Sequence, residues 1–321
     1  MKILIKGCGW YGCHAAIVLK RNNIEFKMVD ITNDFFNGSS SKNQNRLHLG
    51  FHYCRSYKTR FECINGFNRF MDKYEKLTVK IPNNYYFIDN SSLIDYKTYC
   101  NIYDYEKIEY EKINKLDLKF KINKNKYEGV IKVKERFINF RKAKQYFKHY
   151  LQEYLITEFD DKKLVCNDSS INYDGEEFDI IFDCTYSKFD NMFYENCISL
   201  LYKYTGDDVF AITVMDGKFF SLYPYDIDNN IYTLTDVEYT PTGDINNKEL
   251  IENKVKEYIP NFNKLFEYKD FFISQKAKQI NATDDRSFVY KKIGKVYYFS
   301  GGKITGIFSM EDFILEYLNI F

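Results

Sequence analysis

The sequence predicts an α/β fold, a Rossmann-type parallel-sheet domain into which a mainly antiparallel α+β domain is inserted. Three observations predict it. A strand, a glycine-rich turn and a helix open the chain. Segments of period-two hydrophobicity dominate the middle. Apolar strand runs and helical stripes return near residue 180 and after residue 295.

At 321 residues with 45% hydrophobic content the chain is long enough for two domains or for one core carrying a large insertion. A formal charge of +1 gives no global field for nucleic acid or an acidic membrane surface, so any bound anion must be held locally. Tyr and Phe are spread along the whole chain, which reads as compositional drift rather than a stacking surface. The cysteines at 8, 13, 54, 63, 100, 166, 184 and 197 contain no CxxC pair, which fits neither a zinc site nor a disulfide scaffold. Reduced thiols are expected, and with them a cytoplasmic protein. The chain opens on a strand rather than an apolar leader, and no apolar stretch approaches the ~18 residues of a membrane span, so neither secretion nor membrane insertion is expected.

The opening strand Lys2 to Lys6 runs into Gly7-Cys8-Gly9-Trp10-Tyr11-Gly12 and then a helix from Cys13. The first glycine permits the tight turn, the second lets backbone approach phosphates, and the third lets helix and strand pack closely, while free helix N–H groups face the anion. A second strand, Ile24 to Val29, ends on Asp30, about twenty residues after the glycines, where a carboxylate hydrogen-bonds a ribose diol. Strand, turn, helix, strand and terminal carboxylate together point to a dinucleotide.

Residues 33 to 53 form a long polar loop, and ordered loops of that length are usually functional. Tyr57, Phe61, Ile64, Phe67, Met71 and Tyr74 predict an amphipathic helix with these residues on its buried face. Residues 78 to 126, with strands such as Tyr85 to Ile88 between charged connectors, read as an insertion rather than another βαβ unit. A helical stripe from Ala143 to Leu155 and a buried strand within Phe178 to Thr185 return the chain to the nucleotide domain. Strands between 198 and 238 and a helix near 248 to 259 resume the insertion. The end is a strand at Lys295 to Ser300, the turn Gly301-Gly302-Lys303-Ile304-Thr305-Gly306, and a helix with Met310, Phe313, Ile314, Tyr317, Leu318 and Phe321 on one face. Ser309 and Asp312 offer it a capping box. The predicted boundaries are 1–77, 127–195 and 275–321 for the nucleotide domain, and 78–126 and 196–274 for the inserted one.

Three remote segments must be explained together: the glycine turn, the loop Asn43-Gln44-Asn45-Arg46-Leu47-His48-Leu49-Gly50-Phe51-His52-Tyr53, and the late turn Gly301 to Gly306. Their combination resembles the D-amino-acid-oxidase-like superfamily of FAD-dependent oxidoreductases, in particular small bacterial and viral members with a GWYG-type turn. The likeness covers nearly the whole chain. It implies a discontinuous FAD domain, an inserted substrate domain and the flavin ring between them. By likeness, Gly7, Gly9, Trp10, Tyr11 and Gly12 surround the pyrophosphate, and Asp30 takes the adenosine ribose. Ser40, Asn43, Gln44 and Asn45 line the route to the flavin, and Asp183, Cys184 and Thr185 touch the cofactor at a later strand end. There the family has small residues and glycine, whereas this chain has Cys184-Thr185-Tyr186, so a bulkier contact is expected. Hydride arrival at flavin N5 puts negative charge on the N1–C2=O edge, which the N–H groups of Gly301, Gly302, Lys303, Ile304 and Thr305 and the Lys303 ammonium would stabilise.

His48 and His52, four apart, form a metal pair on a helix or face the flavin on a loop; no carboxylate or cysteine at matching spacing completes a metal site, so none is predicted. Each histidine is equally consistent with packing. Arg46 leaves phosphate, flavin and a substrate carboxylate open as ligands. Tyr223 places a phenol over the flavin or packs in its strand. Arg286 meets a substrate acid or its neighbours Asp284 and Asp285. Several amino-acid oxidases of the superfamily carry a carboxylate-binding arginine where this chain has Ile304, a departure that weighs against amino-acid substrates. Cys54 is a candidate flavin tether or a buried thiol. The expectation is an FAD-dependent oxidoreductase that takes a hydride from a carbon bearing an amine or hydroxyl of a small molecule and passes electrons to oxygen or another acceptor, with His48, His52 or Tyr223 as base. An NAD-dependent dehydrogenase, in which the three segments need not converge, and a flavin-bound scaffold without catalysis are the alternatives.

Overall fold

The computed structural model describes residues 1–167, 170–185, 189, 192–280 and 286–319. Tyr186, Asp284, Asp285 and Phe321, each drawn into the reading above, lie outside the described residues. Among the described residues the α-helices are α1 (Trp10–Arg21), α2 (Tyr57–Tyr74), α3 (Tyr96–Tyr105), α4 (Phe140–Leu151), α5 (Lys248–Tyr258), α6 (Phe262–Leu265) and α7 (Gly306–Tyr317). None is long and apolar enough to cross a membrane.

The nucleotide domain is a five-stranded sheet whose order is Val289–Ile293, Val296–Ser300, Ile180–Asp183, Lys2–Lys6 and Glu25–Val29, parallel except at the outer pair 289–293 and 296–300. Successive strand residues face opposite sides. Ile3 and Ile5 therefore pack with α1, α2, α4 and α7, while Leu4, Val29, Ile181 and Val296 pack under a small antiparallel sheet at 164–178. With both faces covered, these strands read as apolar runs, which is why they were legible.

The inserted domain is an eight-stranded sheet in the order 266–279, 192–204, 231–236, 220–226, 210–215, 83–89, 127–133 and 110–112, antiparallel except between 210–215 and 83–89. Its topology corrects the expected boundaries. Tyr127–Val133 pairs antiparallel with Asn83–Asp89, so the chain returns to the nucleotide domain after 133 rather than at 127. Strands Met192–Tyr204 and Phe266–Gln279 run unbroken through the expected breaks at 195 and 275. A three-stranded sheet of Arg46–Leu47, Arg136–Ile138 and Thr78–Lys80 ties the polar loop to the junction of the two domains.

Two helix readings also change. Helix α2 starts on Ser56, whose hydroxyl accepts from the Thr59 N–H, but Tyr57 and Phe61 are more than half exposed and the buried face is Thr59, Arg60, Cys63, Gly66, Phe70 and Tyr74. Gly66 meets Thr305 so closely that a Cβ there would lie 2.3 Å from the Thr305 Cβ. Arg60 is drawn inward by Glu106 and by the carbonyls of Tyr53 and Cys54. Close approach and a paired cation thus outweigh two aromatics. Helix α7 begins at Gly306, so Ser309 lies inside it and Asp312 pairs with Arg69 instead of capping.

Candidate active site

The site begins at the glycine turn. Gly7 has φ +102°, a Cβ on Gly12 would lie 1.8 Å from the Gly7 carbonyl oxygen, and one on Gly9 would lie 2.6 Å from Ser40 Oγ. Only glycine fits this cradle. Helix α1 has no side-chain cap from Gly9; the Trp10 N–H donates to Ser40 Oγ at 3.0 Å, which brings the polar loop to the helix N-terminus. Asp30 turns its carboxylate to the same turn and accepts the Cys8 N–H at 2.8 Å. Thr185 and the Cys184 carbonyl close the turn from the next strand, within 3.1 Å of a Cβ on Gly7. The Trp10 indole, by contrast, points into the core among Phe36, Phe70, Tyr74 and Phe147, so this residue offers an anion its backbone only.

Tyr11 joins the first segment to the last. Its hydroxyl donates to the Lys303 carbonyl at 2.9 Å and occupies the space left by Gly301 and Gly306, where a Cβ would lie 2.0 and 2.2 Å from it. Gly302 lies against the Arg286 side chain, and Ile304 packs on the nucleotide-domain core. The Lys303 ammonium stands 4.0 Å from the centre of the Tyr53 ring, so the late turn meets the histidine loop. Burial, reinforced by the Arg46 charge, lowers the Lys303 pKa to about 7.

His48 and His52 lie on a loop, not a helix, with ring centres 5.9 Å apart and Tyr53 beside both. Burial holds both well below the usual histidine range, and the charges of Lys303 and Arg46 act in the same direction. Both are therefore neutral at pH 7. No cluster of metal-ligating side chains occurs among the described residues. Buried Arg46 lies with its guanidinium 4.2 Å from the centre of the Tyr223 ring and donates to Tyr86 Oη and Gln44 Oε1. Tyr223 is wholly buried and its hydroxyl donates to the Arg136 carbonyl. Gln44 reaches the inserted sheet at Ser221 and Thr233, whereas Asn43 and Asn45 mainly bond backbone within their own loop. Cys54 is buried in the inserted domain, and burial with Asp216 nearby pushes its thiol up to about 12, the opposite of an activated tether.

Glu135, Tyr86, Asn84 and Thr213 are site neighbours that sequence reasoning missed. Glu135 sits in a Lys-Glu-Arg run that reads as solvated charge, and no periodicity marks it as buried. The Nε of Arg46, the Nδ1 atoms of His48 and His52, Asn84 Oδ1 and Thr213 Oγ1 are buried without a hydrogen-bond partner. The glycine cradle, the helix N-terminus and the strand-end carboxylate of Asp30 have the chemistry of a dinucleotide-binding turn, and the orphaned polar atoms gather at and around the histidine loop.

No protein-family model matches the chain. It is 29% identical over 340 residues to the FAD-dependent monooxygenase FPY4 of Fusarium mangiferae, covering 98% of this chain and 90% of that one. It is 37% identical over 79 residues to the FAD-dependent monooxygenase kojA of Aspergillus flavus, where the match spans 25% of this chain and 18% of that protein. Among solved structures it resembles L-α-glycerophosphate oxidase from Mycoplasma pneumoniae with FAD bound (TM-score 0.76, 16% identity, 99% and 94% of the two chains). It also resembles glycine oxidase from Geobacillus kaustophilus (TM-score 0.75, 8% identity, 99% and 93%). The chain thus shares its fold with these oxidases, and its sequence is similar to that of an FAD-dependent monooxygenase.

Proposed function

We propose that the chain oxidises a C–N or C–O bond of a small molecule held between its two domains, with FAD as hydride acceptor. The observation that carries this is the convergence at Lys303, where the glycine turn, through Tyr11, and the histidine loop, through Tyr53, meet on one residue. Gly7, Gly9 and Gly12, with the first turn of α1 at Trp10 and Tyr11, would cradle the pyrophosphate, Ser40 linking it to the Trp10 N–H, and Asp30 would hold the adenosine ribose. Ser40 stands at the pyrophosphate, while Cys184 and Thr185 close that end. Lys303, with the backbone from Gly301 to Thr305, would supply the positive charge and N–H groups that offset the negative charge of the reduced cofactor. FAD supplies the two-electron redox chemistry. The protein's own work is to orient the substrate with Gln44, Arg46 and Arg286, to exclude water, and to accept a proton at neutral His48 or His52. Tyr223, buried beneath Arg46, supports the guanidinium rather than touching substrate.

FAD added at 100 times its Kd should stabilise the purified protein by about 2.7 kcal/mol and raise its melting temperature, with NADH producing no shift. A shift with NADH alone overturns the reading in favour of a dehydrogenase. One observation favours a second outcome, transfer of oxygen to the substrate: the long match to a protein named as a monooxygenase. Oxidation of the substrate with dioxygen as acceptor leaves both oxygen atoms in hydrogen peroxide, whereas monooxygenation puts one in the product and one in water with two further electrons from a reduced nicotinamide or the substrate itself, and labelled dioxygen separates them. Eight cysteines without a CxxC pair and the near-neutral charge support a cytoplasmic enzyme without nucleic-acid or membrane partners.

A further inference from the structure

Glu135 lies in the connection between strands 127–133 and 136–138, its side chain wholly shut off from solvent. A carboxylate is buried at such a place only when hydrogen bonds and charge hold it there. Its Oε1 accepts the Leu49 N–H at 2.8 Å, and its Oε2 accepts the Tyr86 hydroxyl at 2.7 Å. The Tyr86 oxygen in turn accepts from Arg46 Nη1 at 3.1 Å. A polarised chain therefore runs from guanidinium through phenol to carboxylate.

That chain ends at His48. Its Nδ1 is buried without a hydrogen-bond partner and stands 3.6 Å from Glu135 Oε1, which keeps a free lone pair after accepting from Leu49. At 3.6 Å the pair is an electrostatic contact rather than a hydrogen bond. The other groups acting on this imidazole are Arg46 and Lys303, both cationic when protonated, with neutral His52 and Tyr53 alongside. Glu135 is the carboxylate that stands against this ring, and its charge acts on the neighbouring His52 as well.

We propose that Glu135 is a positioning residue that fixes His48 as the Nδ1–H tautomer and leaves Nε2 bare as the proton acceptor. The proton is the one a substrate O–H or N–H loses as the adjacent C–H leaves as hydride for FAD. The O–H or N–H bonding pair becomes the second bond of C=O or C=N, and the proton ends on His48 Nε2. Glu135 itself takes no proton; its charge offsets the imidazolium. The identity of the proton donor rests on the flavoenzyme reading, whereas the tautomer does not.

Nitrogen-15 NMR of the histidine side chains tests it directly, because the chain has four histidines and single His→Gln variants assign them. In full-length protein, with and without FAD, His48 should show a protonated Nδ1 and a bare Nε2. Glu135→Leu, which removes the acceptor beside Nδ1, should move the tautomer ratio toward Nε2–H, with FAD affinity changed less than twofold. Tyr86→Phe, which keeps the carboxylate, should retain Nδ1–H and so separates the acceptor from local packing. A wild-type His48 protonated at Nε2, or a Glu135→Leu spectrum unchanged at His48, overturns the proposal. If Glu135→Leu does not fold, the wild-type tautomer alone decides. Failure to bind FAD would sink the flavoenzyme reading and still leave the tautomer measured in the ligand-free chain.

Discussion

Lys303 shows how much a single residue's chemistry depends on its neighbours. In the ligand-free chain burial and Arg46 bring its pKa to about 7, so above that pH the ammonium must regain a proton before it can meet an anionic flavin edge. The affinity for reduced FAD should therefore be flat below about pH 6 and fall by up to roughly tenfold per pH unit above 7, until the pKa of the complex is reached, whereas that for oxidised FAD, whose ring is neutral, should vary less. Lys303→Met should weaken binding at low pH and remove the pH dependence; isothermal titration at several pH values reads both. The position of this lysine in a glycine-rich turn was legible from sequence, because the turn chemistry is local. The role of Glu135 was not, because its burial is produced by Leu49, Tyr86 and His48, which come from segments 49 to 87 residues away.

At the scale of elements, the contact that unites the cofactor segments is a missing side chain. Tyr11 on α1 fits its hydroxyl where Gly301 and Gly306 have no Cβ, and so fixes the start of α7 against the start of α1. Gly306→Ala should displace this phenol and lower FAD affinity at least tenfold. Adding Tyr11→Phe should recover part of the loss, since a Cβ at 306 lies 2.2 Å from the hydroxyl but 3.3 Å from the ring carbon that bears it. A double-mutant cycle on FAD affinity measures that coupling, and strictly additive effects would refute it. The same principle explains the misread face of α2. Periodicity counted Tyr57 and Phe61 as core, yet Gly66 and the Arg60–Glu106 pair decide which side approaches Thr305. The strands were read more accurately than their boundaries, since Tyr127–Val133 has apolar residues of the kind either sheet would accept.

For the molecule as a whole, the cofactor domain is held together by a buried polar cluster behind the site. His14 on α1 contacts Tyr74 on α2 at 2.8 Å and Glu311 on α7 at 3.1 Å, and Glu311 also pairs with Lys73. Burial lowers the His14 pKa from 6.5 to about 4, while Glu311, despite its own burial, is held at about 2 by His14 and Lys73. The unfolded chain therefore takes up the histidine proton first. That contribution to stability is full above pH 6.5 and is lost as pH falls toward 4, about 3 kcal/mol in all, with Glu311 adding to the loss below 4.5. Melting temperatures across this range should fall steeply for the native chain and less steeply for His14→Asn; equal slopes would show that another group governs acid unfolding. The sequence by itself determined the fold class, the dinucleotide turn with Asp30, and the candidate loop and late turn, because each depends on local chain geometry or on hydrophobic period. Only the tertiary structure decided that Tyr11 and Tyr53 converge on Lys303, and that Glu135 lies behind His48. Those contacts join residues far apart in the chain, and no local pattern encodes which buried polar groups will meet once both domains have closed.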